Sequence, residues 1–487
     1  MNLSKSQNIY YHTTKKSKSK SKSKKSQMEM EKVFKSKRLP QEIDEKIREK
    51  VKEDQIKIVD KILEEIVRLN TLINIQELRN RIIYNPDGTI NSFDLSYFEE
   101  RLKILPNNIK NLTVTNVLDL SNNQITKLPD KFFKIKVDNL DLSNNYIEEL
   151  PENFGIKIYG SLDLSYNRLI SLPESFGLIK IYGSLDLSYN RLISLPKSFG
   201  SIEIGDSLDL SNNDLKTLSK NFGKIKIRNL NLSWNELIEL PEKIGRIKIG
   251  GFFDLNHNQL TSLPESFSNI KVDHWMNLSY NQLTELPDNF GLLKIIYYDL
   301  NLCHNQLTKL PETFGLLEIN GILDLSHNRL KLLPENFGNI KFDEGKLNLS
   351  NNQLTSLPET FGNLEISELN LYDNKLTDLS DNFGYITIWG GNLNLSRNQL
   401  KSLPESFGNL VIYGNLNLSN NQLETLPEHF GYISINGYLN LSDNQLKTLP
   451  ENFGNKVLGV LNLHNNRFTT LKSLPQHFWR YCFSNYI

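Results

Sequence analysis

Residues 185–207 read LDLSYNRLISLPKSFGSIEIGDS, and residues 162–184, just before them, read LDLSYNRLISLPESFGLIKIYGS. Aligned on the Asn at the sixth place, this unit returns sixteen times between Asn123 and Asn466, at steps of 22 to 24 residues. A period of that length marks a repeat architecture, in which each unit can bury its apolar residues only against its neighbours. In Leu185-Asp186-Leu187 the alternation puts both Leu on one face of a short strand and the Asp on the other. Such strands stack into one long parallel sheet. The Asn that follows sits where the chain leaves the sheet, and its amide both donates and accepts, so stacked copies satisfy backbone groups that are costly to bury unpaired.

The second half of the unit is as regular. Pro follows the third Leu, where an extended segment without a ladder bond is expected, and Ser219 and Ser380 replace it twice. Three residues on stands Phe in fifteen of the sixteen repeats, Ile244 being the exception. A spine of stacked rings is expected on the convex side. Pairs such as Ile179-x-Ile181 and Ile247-x-Ile249 then alternate with period two, which predicts an extended convex segment and not an α-helix.

The pattern L-x-x-L-x-L-x-x-N-x-L resembles the leucine-rich repeat signature, in the 23-residue intracellular class that carries L-P-x-x-F, over roughly four fifths of the chain. The resemblance implies a leucine-rich repeat solenoid. It would be a right-handed horseshoe, with a parallel β-sheet on the concave face, short 3-10 or extended segments on the convex face, and a helical N-terminal cap. It also implies a noncatalytic scaffold for protein–protein interaction. The chain contains no Ala, and this together with the monotony of the repeats resembles leucine-rich repeat proteins of giant viruses of amoebae.

Outside the repeats the chain changes character. The 56 basic and 56 acidic side chains balance, yet residues 1 to 38 carry eleven Lys and one Arg against Glu29 and Glu31. A basic tail precedes an acidic body. Residues 1–39, with KKSKSKSKSKK at 15–25, have nothing to bury and are expected to be disordered. The tail reads first as a solvated segment with no specific partner, and otherwise as a nuclear-import signal, a contact for nucleic acid or another anionic surface such as a membrane, or a phosphorylation switch at its serines. Residues 40–88 form a helical segment: Ile43, Ile47, Val51, Ile58, Ile62, Ile66 and Leu69 make one amphipathic stripe, and a second apolar run, Leu72 to Ile83, ends at the turn Asn85-Pro86-Asp87-Gly88. That stripe fits a lid over the first repeat. The opening Leu39-Pro40-Gln41-Glu42-Ile43 resembles the start of an F-box, which would imply a substrate adaptor for ubiquitin transfer, although the later F-box pattern is missing. Repeats fill 89–475, beginning with a partial unit, Leu102-x-x-Leu105-Pro106, and residues 476–487 read as a C-terminal lid with Phe478, Trp479, Tyr481 and Phe483.

Two Cys, Cys303 and Cys482, make no disulfide framework. A reducing, intracellular compartment is expected, the cytoplasm or, through the tail, the nucleus, and a host cell if the viral resemblance holds. The opening residues contain no apolar signal region, and no stretch is apolar for long enough to span a membrane. Walker A, dinucleotide-glycine, H-E-x-x-H and G-x-S-x-G motifs are missing, so neither an enzyme nor a cofactor is expected.

Sixteen strands at roughly 4.8 Å give a concave face on the order of 75 Å long, a length suited to gripping another macromolecule. Two columns run down it. The strand-centre residue is mostly Asp from Asp119 to Asp254 and Asn from position 348 onward. Neighbouring carboxylates about 5 Å apart repel by only ~0.8 kcal/mol in water, so the ordinary L-D-L-S phrase accounts for them, with a basic partner or the chain's own tail as alternatives. The column just before the ladder Asn is more selective. From the third to the tenth repeat it holds Tyr166, Tyr189, Asn212, Trp234, His257, Tyr280, His304 and His327. Large amphipathic rings concentrate binding energy in protein interfaces, so the seven ring residues are the candidate partner-binding site. His304, His327 and Cys303 are zinc-ligand types, but a fourth ligand at recognisable spacing is missing, and no metal is expected.

Overall fold

The computed structural model describes residues 41–70, 73–97, 101–295, 299–453 and 460–469. The basic tail, Leu39-Pro40 of the F-box-like opening, and the C-terminal lid lie outside the described residues.

Helix α1 (Gln41–Leu69) places Val59, Ile62, Leu63 and Ile66 on one face, three and four residues apart, and all four are buried. They cover the apolar end of the stack. Asn70 joins the helix to the first repeat: its Nδ2 donates to Ile66 O at 2.9 Å and Ile104 O at 3.0 Å, while its Oδ1 accepts from Lys103 N at 2.9 Å. The second apolar run divides where a helix was expected. It forms a short helix α2 (Ile75–Asn80) and then a strand β1 (Ile82–Tyr84), antiparallel to β2 (Ile90–Asp94). Asn85 to Gly88 close that hairpin, with Gly88 at φ 86° as the turn demands. The edge of the sheet is thus covered by a paired strand as well as by a helix.

From β2 onward every pairing of the main sheet is parallel. β2 pairs with β3 (Thr113–Asp119), β3 with β4 (Lys136–Asp141), and fourteen further strands of two or three residues follow among the described residues, from Leu162–Asp163 to Leu461–Asn462. Leu stands on Leu, as at Leu208 and Leu230, or on the Phe253 and Met276 that replace it, and Asp or Asn stands on Asp or Asn. The phrase Phe93-Asp94-Leu95-Ser96-Tyr97 is the strand of the partial first repeat, disguised by Phe in place of the first Leu.

On the opposite side each Pro opens a short 3-10 turn. Pro173 has φ −68° and ψ 155°, and its carbonyl accepts from Phe176 N at 2.9 Å. The carbonyls of Ser219 and Ser380 accept in the same way from Phe222 and Phe383, so the position requires the extended backbone and its carbonyl, which Pro presets. The Phe rings are buried and stack at 5.8–6.4 Å. Where Ile244 breaks the spine, Phe253 replaces a strand Leu and brings its own ring within 6.4 Å of Phe267. The Gly after Phe suits close packing in most repeats, as a Cβ on Gly291 would lie 1.6 Å from Thr313 O in the next turn, though Phe133 and Ser268 hold the position in two others. Two-residue convex strands such as Lys180–Ile181 and Glu203–Ile204 complete each repeat, as the period-two spacing predicts.

Candidate functional site

The ladder Asn residues form the floor of the site. Asn281 Nδ2 donates to Leu255 O, Leu278 O and Ser279 O at 3.0, 3.1 and 3.2 Å, and its Oδ1 accepts from Leu260 N at 3.0 Å. The same set recurs from Asn145 to Asn444 with few exceptions. One buried amide therefore ties together backbone groups of adjacent repeats.

Strand-centre carboxylates beside this floor are half-buried and cap their own turns. Asp186 Oδ1 accepts from Ser188 N at 2.8 Å, and Asn277 Oδ1 accepts from Ser279 N at 3.1 Å. Asp and Asn thus do one job, which explains why the column can change from one to the other. Burial, before any charge effect, holds Asp119, Asp141 and Asp186 above the ordinary carboxylate range and pushes Asp254 up to about 6.

The ladder reaches the ring column, which stands just before the Asn where the chain leaves the sheet: Tyr166 N donates to Ser188 O and Trp234 N to Asn256 O, each at 3.0 Å. All members are left-handed, with Tyr166 at φ 52°, Tyr189 at 51°, Trp234 at 53°, His257 at 49°, Tyr280 at 53°, His304 at 51° and His327 at 52°. Asn and Asp tolerate that conformation, and they occupy most of the column elsewhere, as at Asn122, Asn351 and Asp443. Tyr and Trp do not favour it. The abundance of Asn in the column is the sequence signal for a left-handed backbone.

All seven predicted ring residues come together, in two stacks. Tyr166 and Tyr189 stack at 4.2 Å, and Trp234, His257, Tyr280, His304 and His327 follow one another at 3.8, 4.3, 4.2 and 4.1 Å. Asn212 separates the two, its Nδ2 turned back onto Ser211 Oγ at 3.3 Å. Tyr166, Tyr189, Trp234 and Tyr280 remain 44–54% exposed. His257, Tyr280 and His304 are covered on both faces and offer a partner their edges, while Tyr189 and Trp234 end their stacks with one face uncovered by a ring. The steps are shorter than the 5.8–6.4 Å of the Phe spine, so each repeat is a wedge that narrows towards the sheet. Its hydrogen bond with Tyr189 raises the Tyr166 phenol, while burial lowers His257 and His304, with the His327 charge adding at His304.

The residue after each ladder Asn, not considered from sequence, forms the far wall of a trough. Beside the first stack lies a hollow of about 590 Å³ with Arg101, Arg168 and Arg191 in its lining; Arg168 stacks on Tyr146 at 4.2 Å. Beside the second lies one of about 650 Å³ lined by Gln259, Gln282 and Gln306. Asp214 and Glu236 hold the same register position between them. Cys303 is buried, which pushes its thiol up to about 11.

The family model for the Leucine Rich Repeat matches residues 115–135, 322–340, 346–364, 392–410 and 438–456. A leucine-rich repeat protein of Leptospira interrogans is 28% identical with a TM-score of 0.54, the alignment covering 75% of this chain and 93% of that one. A chain of the Toll–Spatzle complex of Drosophila is 23% identical with a TM-score of 0.54, over 71% of this chain and 50% of that one. No curated protein matches. The chain is built of leucine-rich repeats and has the leucine-rich repeat solenoid fold, one commonly used as a protein–protein interaction scaffold and typically noncatalytic. Among the described residues no helix is long and apolar enough to cross a membrane.

Proposed function

We infer that the chain is a noncatalytic scaffold that holds a protein partner along the ring-bearing edge from Tyr166 to His327. One observation carries this reading: four Tyr and Trp side chains stay exposed on left-handed backbone that Asn serves better elsewhere in the same column. Left-handed backbone costs a residue with a Cβ roughly 1–2 kcal/mol, and such strain gathers where a surface is used. The trough gives the partner polar partners beside the ring edges, as hot-spot rims require. An adaptor reading through the N-terminal helix has less to offer, because the stripe from Val59 to Ile66 is already spent on the first repeat.

Proximity labelling in cells tests the reading. The intact chain is compared with one carrying Tyr166→Asn, Tyr189→Asn, Trp234→Asn and Tyr280→Asn, substitutions that suit the backbone. Disappearance of one protein from the labelled set is the expected result. Identical sets would remove the ring edge as the contact surface.

A further inference from the structure

The two ring stacks belong to one column, and a single repeat breaks it. Tyr189 is covered on one face by Tyr166, and Trp234 on one face by His257. Their other faces look towards each other across Asn212, whose side chain folds back on Ser211. Between those faces lie two repeat steps, roughly twice the 4.2 Å centroid step of the neighbouring pairs. A planar group needs roughly 3.5–4 Å to each ring, so one layer fits.

The surroundings say which layer. The slot's own repeat carries Asp209 on the strand side and Asp214 on the trough side. Asp209 Oδ1 accepts from Ser211 N at 2.8 Å and its Oδ2 from Asn231 Nδ2 at 3.0 Å. Asp214 is exposed and has no ion pair among the described residues. Glu236, in the next repeat, pairs with Lys216 at 3.8 Å. Arg191 lies on the preceding repeat. Two facing π surfaces flanked by a free carboxylate suit a flat cation, and guanidinium stacks on aromatic faces and binds carboxylates through a planar fork where an ammonium cannot.

We propose that the gap at Asn212 is a binding slot for an Arg side chain of the protein partner, its guanidinium layered between Tyr189 and Trp234 and paired with Asp214. This rests on the ring edge being the contact surface and names the chemistry recognised there. It also gives the gap a role: a ring at this position would close the slot.

Titration calorimetry of the full chain with hexa-arginine and hexa-lysine peptides tests the slot. Wild type should bind the arginine peptide about ten-fold or more tightly than the lysine peptide, since equal charge leaves guanidinium stacking and its planar fork to separate them. Asn212→His should fill the slot and bring the ratio to near one. His is already accommodated on the same left-handed backbone at His257, His304 and His327, and the thermal midpoint should not fall. Trp234→Asn, which leaves the slot with one wall, should weaken the arginine preference independently of whether the His variant folds. Equal binding of the two peptides by wild type, or an arginine preference that survives both substitutions, overturns the proposal. The contact reading falls separately, only if the four-residue Asn variant leaves the labelled set unchanged.

Discussion

Asp254 sits at a strand centre, with Oδ1 accepting from Asn256 N at 3.0 Å, and burial pushes its carboxyl up to about 6. A carboxyl raised in the folded chain binds its proton more tightly there than when unfolded. Folding is therefore favoured below the unfolded value near 4, and that advantage is lost as pH rises towards 6. Asp254→Asn keeps the acceptor and removes the charge, as Asn277 does one repeat on. The variant should be more stable by about 1–2 kcal/mol at pH 7 and indistinguishable from wild type at pH 4, read from denaturant midpoints at the two pH values. At this scale much of the site was legible. The ring column and its block from Tyr166 to His327 follow from register alone. Backbone handedness and ring orientation do not, because a side-chain pattern records which face a residue occupies and not its φ. The acid column kept a basic partner or the chain's own tail as alternatives for a related reason: an Asp that caps its own turn and an Asp that awaits a cation look identical in sequence.

Each element of a repeat is held by one residue type. Asn281 serves four backbone groups, three carbonyls and one N–H; Asn281→Leu would leave Leu260 N buried without its acceptor, while Leu255 O, Leu278 O and Ser279 O would each keep one donor, in Asn258 Nδ2, Asn305 Nδ2 and His257 N. A loss of about 1–3 kcal/mol is expected in chemical unfolding, the cost of one orphaned N–H. Phe290 is fully buried between Phe267 at 6.4 Å and Phe314 at 6.0 Å. Phe290→Ala should cost about 3–5 kcal/mol and split one unfolding transition into two. A single transition of unchanged steepness would count against repeat-by-repeat packing. These elements were readable because every copy repeats the evidence. Ile82 to Tyr84 occurs once, with no second copy to correct it. Its apolar run suits a helix as well as a strand, and only pairing with Ile90–Asp94 decides between them. Phe93 hid the first strand by the same lack of repetition.

Across the whole molecule, the repeats touch only their neighbours, so the ends decide how unfolding begins. Leu63, Ile62 and Ile66 close the N-terminal end. Leu63→Asp should strip amide-exchange protection from the repeats nearest the helix and leave those beyond Asn305 protected. Protection lost uniformly would mean the solenoid unfolds as one unit. In one block of the same body Lys226, Lys248, Lys271 and Lys294 stand in register on convex strands, opposite the face that carries the Asp column, while Glu203, Glu318 and Glu365 hold that position in other repeats. The most direct test of the ring edge is the thermal stability of the double variant Tyr166→Asn, Trp234→Asn. Each substitution removes one stacked pair, worth about 0.5–1.5 kcal/mol, and relieves left-handed strain of similar size. If the rings are kept for contact, the variant unfolds within about 1 kcal/mol of wild type. A loss above about 3 kcal/mol would make the ring column a second structural spine and contradict its role as a binding edge.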